Sequence, residues 1–239
     1  EAYELSINGR PGPVLIDIPK DVQNAEVELA DDWETKFKKP QYKRFYNAHP
    51  KSIDKALNLL VSARKPLVLT GHGTLLAGAE KELKEFIANE KIPVISTILG
   101  FGALEYDDPY YFSWLGMHGM KYANEAVQEA DVIFVVGARF DDRITGRLKD
   151  FAPNAHIIHA DIDLSEGSKN VPTKCFLHGD VKLLFSNLPS SVTTKNKEWR
   201  QEWFNHLDAK RKEFPLQIPS SDKFTMPFAL NMLNDKIEK

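Results

Sequence analysis

The chain has 239 residues, 42% of them hydrophobic and 27% charged, which is ordinary globular composition and excludes a disordered, collagenous or disulfide-built protein. Its 31 Lys and Arg against 34 Asp and Glu leave a formal charge of −3, so no basic excess exists to hold nucleic acid or anionic lipid. A single cysteine, Cys175, excludes an internal disulfide and any multi-cysteine metal site, and no apolar run reaches the roughly 20 residues of a membrane helix. Glu1–Arg10 reads as neither a signal nor a transit peptide, so the expected setting is a reducing compartment, the cytoplasm or an organelle interior.

In chain order, EAYELSINGR reads as the tail of a helix, Arg10-Pro11-Gly12-Pro13 as a turn, and Val14–Ile18 as a short buried strand. One helix end and one strand have no partners to bury their apolar faces, so residues 1–30 are expected to close a domain that begins upstream. Residues 31–50 are polar, charged and aperiodic, and read as a linker. Ile53, Ala56, Leu57, Leu60 and Val61 then recur at helical spacing behind Pro50. Pro66–Thr70 is a strand running into Gly71-His72-Gly73. Leu76, Ala79, Leu83, Phe86 and Ile87 mark an amphipathic helix, and Pro93–Ser96 a second strand. The glycine- and aromatic-rich stretch 97–119 is too long and too structured in composition for a plain linker. Ala123, Ala126, Val127 and Ala130 place a short helix before Val132–Val136, the most apolar run in the chain. His156–Ala160 and Lys174–Leu177 are further strands, and Val181–Phe185 opens a closing helix.

Short, nearly continuous apolar strands alternating with helices predict an α/β fold, a doubly wound parallel sheet, over 51–190. Residues 191–239 read as a second linker and two helical stripes, Trp199/Trp203/Phe204/Leu207 and Leu230/Leu233/Ile237, leading into a further, incomplete domain.

In such sheets, ligands bind outside the carboxyl ends of the strands. Candidate residues there are Gly71, His72 and Gly73; Thr97, Ile98 and Leu99; Gly137, Ala138 and Arg139; Asp161 and Ile162; and Gly179, Asp180 and Val181. Each has a bland alternative. Gly71-x-Gly73 lacks the third glycine of the dinucleotide fingerprint, so a plain strand-to-helix turn accounts for it equally well. Arg139-Phe140-Asp141-Asp142-Arg143 is either a self-neutralising salt-bridge loop or a pair of cations facing a pyrophosphate. Asp161 is either a helix cap or an acceptor for ribose hydroxyls. Leu115 and Met117 are either core or a wall for a ligand ring. No HxxxH metal spacing and no G-x-S-x-G elbow occurs, and nothing reads as a nucleophile.

Taken together, GRPGPVLIDIPKDVQ at 9–23, GFGALEYDDP at 100–109, LGMHG at 115–119, VGARFDDRITGR at 136–147 and HADID at 159–163 resemble the large catalytic subunit of acetohydroxyacid (acetolactate) synthase. That family of thiamine-diphosphate enzymes condenses pyruvate with pyruvate or 2-oxobutanoate in branched-chain amino-acid synthesis. The resemblance implies the end of a pyrimidine-binding domain at 1–30, a complete Rossmann-like FAD-binding central domain at 51–190, and the start of a pyrophosphate-binding domain after 191. It implies FAD contacts at Gly71, His72, Gly73, Thr97, Ile98, Leu99, Leu115, Gly116, Met117, His118, Gly137, Ala138, Arg139, Asp141, Arg143 and Ile144. Around the adenosine end it implies Asp161, Ile162, Glu166, Gly179, Asp180 and Val181, with Arg44 a further match. The family's diphosphate–magnesium motif, GDG, does not occur in this sequence and its activating glutamate is expected upstream of residue 1. The chain by itself is therefore expected to carry no catalytic and no metal-binding residue. Thiamine diphosphate and magnesium belong to the whole enzyme, a homo-oligomer with a possible small regulatory subunit. A related flavin-dependent decarboxylase or oxidase, or a stand-alone nucleotide-binding module, would share the same central domain.

Overall fold

The structure, a computed structural model, describes residues 1–33, 47–189, 197–216, 224–234 and 236–237. Arg44 and most of the 31–50 linker lie outside the described residues. The chain begins with helices α1 (Ala2–Ile7) and α2 (Lys20–Gln23), neither of which contains a buried residue. The strand expected at Val14–Ile18 does not form: Leu15 is 90% and Ile16 66% exposed. An apolar run becomes a strand only where a neighbouring ladder takes its backbone groups, and among the described residues every strand pairing lies between residues 66 and 178.

Helix α3 (Pro50–Ser62) starts as its sequence predicts, with Pro50 in the first turn and the His49 ring accepting from the Lys51 N–H. Then come β1 (Pro66–Thr70), α4 (His72–Leu76), α5 (Glu80–Glu90) and β2 (Val94–Ser96). The single helix expected from Leu76 to Ile87 is two, separated at Gly78, which sits at φ +60°. After β2, β3 (Tyr111–Trp114) adds a strand inside the stretch 97–119, followed by α6 (Lys121–Glu129), β4 (Val132–Val136) and the short α7 (Asp142–Thr145). The series closes with β5 (His156–Asp161), β6 (Cys175–His178) and α8 (Val181–Asn187), and continues into α9 (Lys197–Glu213) and α10 (Met226–Asn234).

The six strands form one parallel sheet in the order β3-β2-β1-β4-β5-β6, the doubly wound order of dinucleotide-binding folds. Strand residues alternate between two cores. Val68, Val94, Phe134 and Ile158 face α3, α5 and α8, whose Leu60, Leu83, Phe86 and Leu184 complete one core. Leu67, Leu69, Ile133, Val135 and Ile157 face α6, with Ala123, Ala126 and Val127. One short helix cannot cover that second face. Helix α9 does the rest: Trp203 and Leu207 are buried in the same core, and the Trp203 indole N–H donates to the Pro66 carbonyl at 2.9 Å. Phe214, just past the end of α9, packs against the same core. Among the described residues no helix is long and apolar enough to cross a membrane.

Candidate functional site

Because all six strands are parallel, their carboxyl ends share one edge, and, apart from Arg44, which lies outside the described residues, the residues singled out from the sequence lie there. Gly71, His72 and Gly73 follow β1; Thr97, Ile98 and Leu99 follow β2; Leu115, Gly116, Met117 and His118 follow β3. Gly137, Ala138, Arg139, Asp141, Arg143 and Ile144 follow β4; Asp161 ends β5, with Ile162 and Glu166 next; Gly179, Asp180 and Val181 follow β6. Strand order reverses between β1 and β4, so the Gly71 and Gly137 turns flank the crevice where such sheets take ligands.

These turns are knit into one layer. The Gly71 N–H donates to the Val136 carbonyl at 3.0 Å, and the Gly73 N–H to the Gly137 carbonyl at 2.9 Å. A Cβ on Gly71 would collide with the Gly137 carbonyl oxygen, and one on Gly73 would lie 2.7 Å from the Gly137 Cα. The first reason for these glycines is therefore the contact between the two turns. Approach of a ligand is not needed to explain them. On the β2 side, the Thr97 N–H donates to Thr70 at 2.9 Å and the His72 Nδ1 lies 3.1 Å from the Leu99 carbonyl. Gly116, at φ +116°, packs on the Arg143 carbonyl, which accepts from the Met117 N–H at 3.1 Å. Asn124 holds Gly116 from both sides, accepting from its N–H at 2.9 Å and donating to its carbonyl at 3.1 Å.

The charged segment after β4 does not neutralise itself. Its single internal pair, Arg139 to Asp141, is long at 3.9 Å, and both side chains are more than 40% exposed. Among the described residues Arg143 makes no salt bridge; its guanidinium approaches only the Met117 sulfur, at 3.9 Å. Asp141 keeps one carboxylate oxygen buried, with no hydrogen-bond partner among the described residues. Two cations and two carboxylates thus stand at the switch point, joined by one long pair.

On the β5–β6 side the carboxylates have local work. Asp161, only 7% exposed, accepts from the Asp163 N–H at 2.8 Å. Glu166 pairs with Lys169 at 2.9 Å and lies 3.9 Å from Arg10. Burial pushes the neighbouring Asp163 carboxyl up, but hydrogen bonds from Ser165 and the charges of Arg10 and Lys169 outweigh it and hold the group below its usual range. Asp180 caps α8, accepting from the Leu183 N–H at 3.1 Å, while Val181, Leu115 and Ala138 turn their side chains into the two cores. From these four positions little beyond backbone is offered to a ligand.

The rim of the edge is apolar and exposed: Ile98 and Leu99 are each 64% and Met117 65% accessible. A hollow of about 520 Å³ opens beside it, lined by Leu115, Gly116, Met117, Asn124, Arg143 and Ile144 among others. A second hollow, about 460 Å³, lies on the outer surface of α3 at Lys51–Leu59 and contains none of the predicted residues. Asn124, His159 and Asn170 are positioning residues that sequence patterns do not reveal. They bind backbone of Gly116, Ala138 and Phe140 respectively, across gaps of 8 to 30 residues. Among the described residues no group of three or more His, Cys, Asp or Glu is placed to hold a metal ion.

Comparison with known proteins agrees with this architecture. The chain is 38% identical to an acetolactate synthase large subunit of Cyanidium caldarium over 95% of its own length, which is 40% of that relative. It is 40% identical to the acetolactate synthase isozyme 2 large subunit of Escherichia coli K12, over 99% of this chain and 41% of that one. The chloroplastic acetolactate synthase 1 of Oryza sativa is 37% identical over 98% of this chain and 37% of its own. The chain thus spans about two fifths of the curated relatives it matches. The model of the thiamine pyrophosphate enzyme central domain matches residues 53–188, the stretch from within α3 to just past α8, and with the doubly wound sheet already in place, the chain belongs to the thiamine pyrophosphate enzyme family through that central domain.

Proposed function

We propose that this chain is the flavin-holding middle portion of an acetolactate synthase large subunit. One observation carries the proposal: two cations, Arg139 and Arg143, at the β1/β4 switch point, without a close carboxylate partner among the described residues. A flavin dinucleotide has a pyrophosphate to meet such cations and a planar ring to cover exposed Ile98, Leu99 and Met117. The buried, unpartnered oxygen of Asp141 offers an acceptor for a hydroxyl donor. These residues fit FAD. In the whole enzyme, two 2-oxo acids would be joined with loss of carbon dioxide, and thiamine diphosphate with magnesium supplies the carbanion stabilisation that this requires. This chain's own part is to bind and orient the flavin and to exclude water from it.

The test is a titration of FAD by fluorescence quenching. Replacing Arg139 by Ala removes a charge-assisted contact worth roughly 1.5–3 kcal/mol, so Kd is expected to rise about tenfold or more. An unchanged Kd in a variant whose circular dichroism matches the wild type would defeat the clamp. A second expectation concerns turnover. The sequence contains no GDG, so the chain supplied with pyruvate, thiamine diphosphate, magnesium and FAD is expected to make no acetolactate. Product above a heat-treated control would overturn that.

A further inference from the structure

We propose that His159 is the positioning residue of this edge, a buried strut that fixes the turn carrying Arg139 and so sets where that guanidinium meets a phosphate. The inference deepens the flavin reading and rests on it.

His159 lies in β5 and is wholly buried. Its ring is packed edge-on between Phe140 at 5.2 Å and Phe176 at 5.4 Å, surroundings in which a hydrocarbon ring would be at home. Its Nε2 lies 2.9 Å from the Ala138 carbonyl oxygen. A carbonyl only accepts, so Nε2 carries the hydrogen and the tautomer is fixed. In the neutral ring Nδ1 is then the acceptor, and among the described residues it is buried with no partner. An unmade hydrogen bond of this kind opposes folding, and a phenylalanine would have avoided it. What the imidazole adds over a phenyl ring is the donation to Ala138.

That bond falls at a telling place. The turn after β4 is held at Gly137 by its N–H on the Ala160 carbonyl and at Phe140 by Asn170, whose side-chain amide donates at 2.5 Å. His159 supplies the hold between them, next to Arg139, whose own side chain is half-exposed. The same Nε2 is 3.7 Å from an Asp161 carboxylate oxygen, so the ring stands between the cationic turn and the acid that ends β5. With the backbone pinned on both sides of it, Arg139 has only its own side-chain rotamers to search, and less ordering is left to be done on binding.

Two substitutions separate a strut from a filler of the core. His159→Phe keeps the ring and deletes the donor, whereas His159→Gln keeps an amide donor at comparable reach. Amide hydrogen exchange at Ala138 and Arg139 is measured in the ligand-free chain, and FAD affinity by fluorescence quenching. His159→Phe is expected to speed exchange at both amides and to weaken FAD binding about tenfold, while His159→Gln stays near the wild type in both. Arg139→Ala is expected to weaken binding and leave the exchange unchanged. Nitrogen-15 spectra of the wild type should show the Nε2-protonated tautomer with a slowly exchanging ring proton, a readout that stands even if His159→Phe fails to fold. An Nδ1-protonated ring, or wild-type exchange and affinity in His159→Phe, would overturn the strut. A wild-type chain that does not bind FAD at all would sink the flavin reading instead, with exchange and tautomer still deciding the role of His159.

Discussion

Replacing Gly137 by Ala tests whether the contact between the β1 and β4 turns is as close as it looks. Gly137 sits at φ +57°, in the left-handed region, where an L side chain costs about 1–2 kcal/mol. Its Cβ would also lie 2.7 Å from the Gly73 Cα and 2.8 Å from the Thr74 nitrogen. Both are backbone atoms of the first turn of α4, so no side chain can swing aside, and overpacking of this kind costs a further 1–3 kcal/mol or so. The expected loss is roughly 2–5 kcal/mol, a large fraction of the stability of an ordinary domain. Gly78 is the control, because at φ +60° it has only the flexible end of Lys182 within 4 Å, at 3.9 Å. Gly78→Ala should therefore pay the conformational cost alone, about 1–2 kcal/mol. Urea unfolding of the two variants measures the difference, provided their m-values match. If both lose the same stability, the turns are not in contact and the crevice is not built as described.

Arg200 and Glu90 form an ion pair at 2.8 Å with both side chains 1% exposed, and Arg200 also donates to the Glu90 and Leu60 carbonyls. Arg200→Met deletes the cationic half of this buried pair together with its hydrogen bonds and is expected to cost about 3–5 kcal/mol; a single-variant loss below about 1 kcal/mol in urea unfolding would show that α9 is not anchored there. Burial pushes the Cys175 thiol up, and its Sγ donates to the Ser52 carbonyl at 3.2 Å. The folded state thus holds this proton more tightly than the unfolded one, so its contribution to stability is full below the ordinary thiol pKa and is lost as pH rises through the raised value. Alkylation by iodoacetamide at neutral pH should be slower than for a free thiol, and equal rates would refute the burial.

The apolar runs of the sheet centre were legible because a strand covered on both faces needs nearly every residue to be hydrophobic. The edge strand β3 was not legible from its residues. Ser113 sits within it at φ +63°, and the register against β2 shifts between Val94 and Ser96. That bulge destroys the two-residue period by which a strand is recognised. The break at Gly78 was hidden for a related reason, since Leu76 falls in phase with Ala79, Leu83, Phe86 and Ile87 in the sequence, although in the structure it is 69% exposed. At Val14–Ile18 the local pattern was that of a strand, yet a ladder is a property of two segments and one segment cannot announce it. The edge that gathers the candidate residues was legible because parallel strands put all their carboxyl ends together. The residues that hold its turns, Asn124, His159 and Asn170, were not, because each acts on backbone distant in sequence.

The segment Arg139-Phe140-Asp141-Asp142-Arg143 shows why composition could not choose between a salt-bridge loop and a clamp. Four charges in five residues suggest cancellation if the chain is imagined as flexible. The backbone forbids it. Helix α7 starts at Asp142, so Asp142 and Arg143 are successive helical residues and point about 100° apart, a spacing at which side chains do not face each other. Phe140 is driven into the second core, where it meets Phe151 and His159, and this fixes the direction of the chain between Arg139 and Asp141. The Arg143 carbonyl is engaged by the Met117 N–H, so its backbone stays put whether or not its side chain finds a partner. What is left is one long pair and an arginine held near sulfur. The separation of Arg139 and Arg143 from the aspartates between them is thus a consequence of where the hydrophobic core places Phe140 and of where a four-residue helix begins. A dinucleotide would meet charges that the fold has already kept apart.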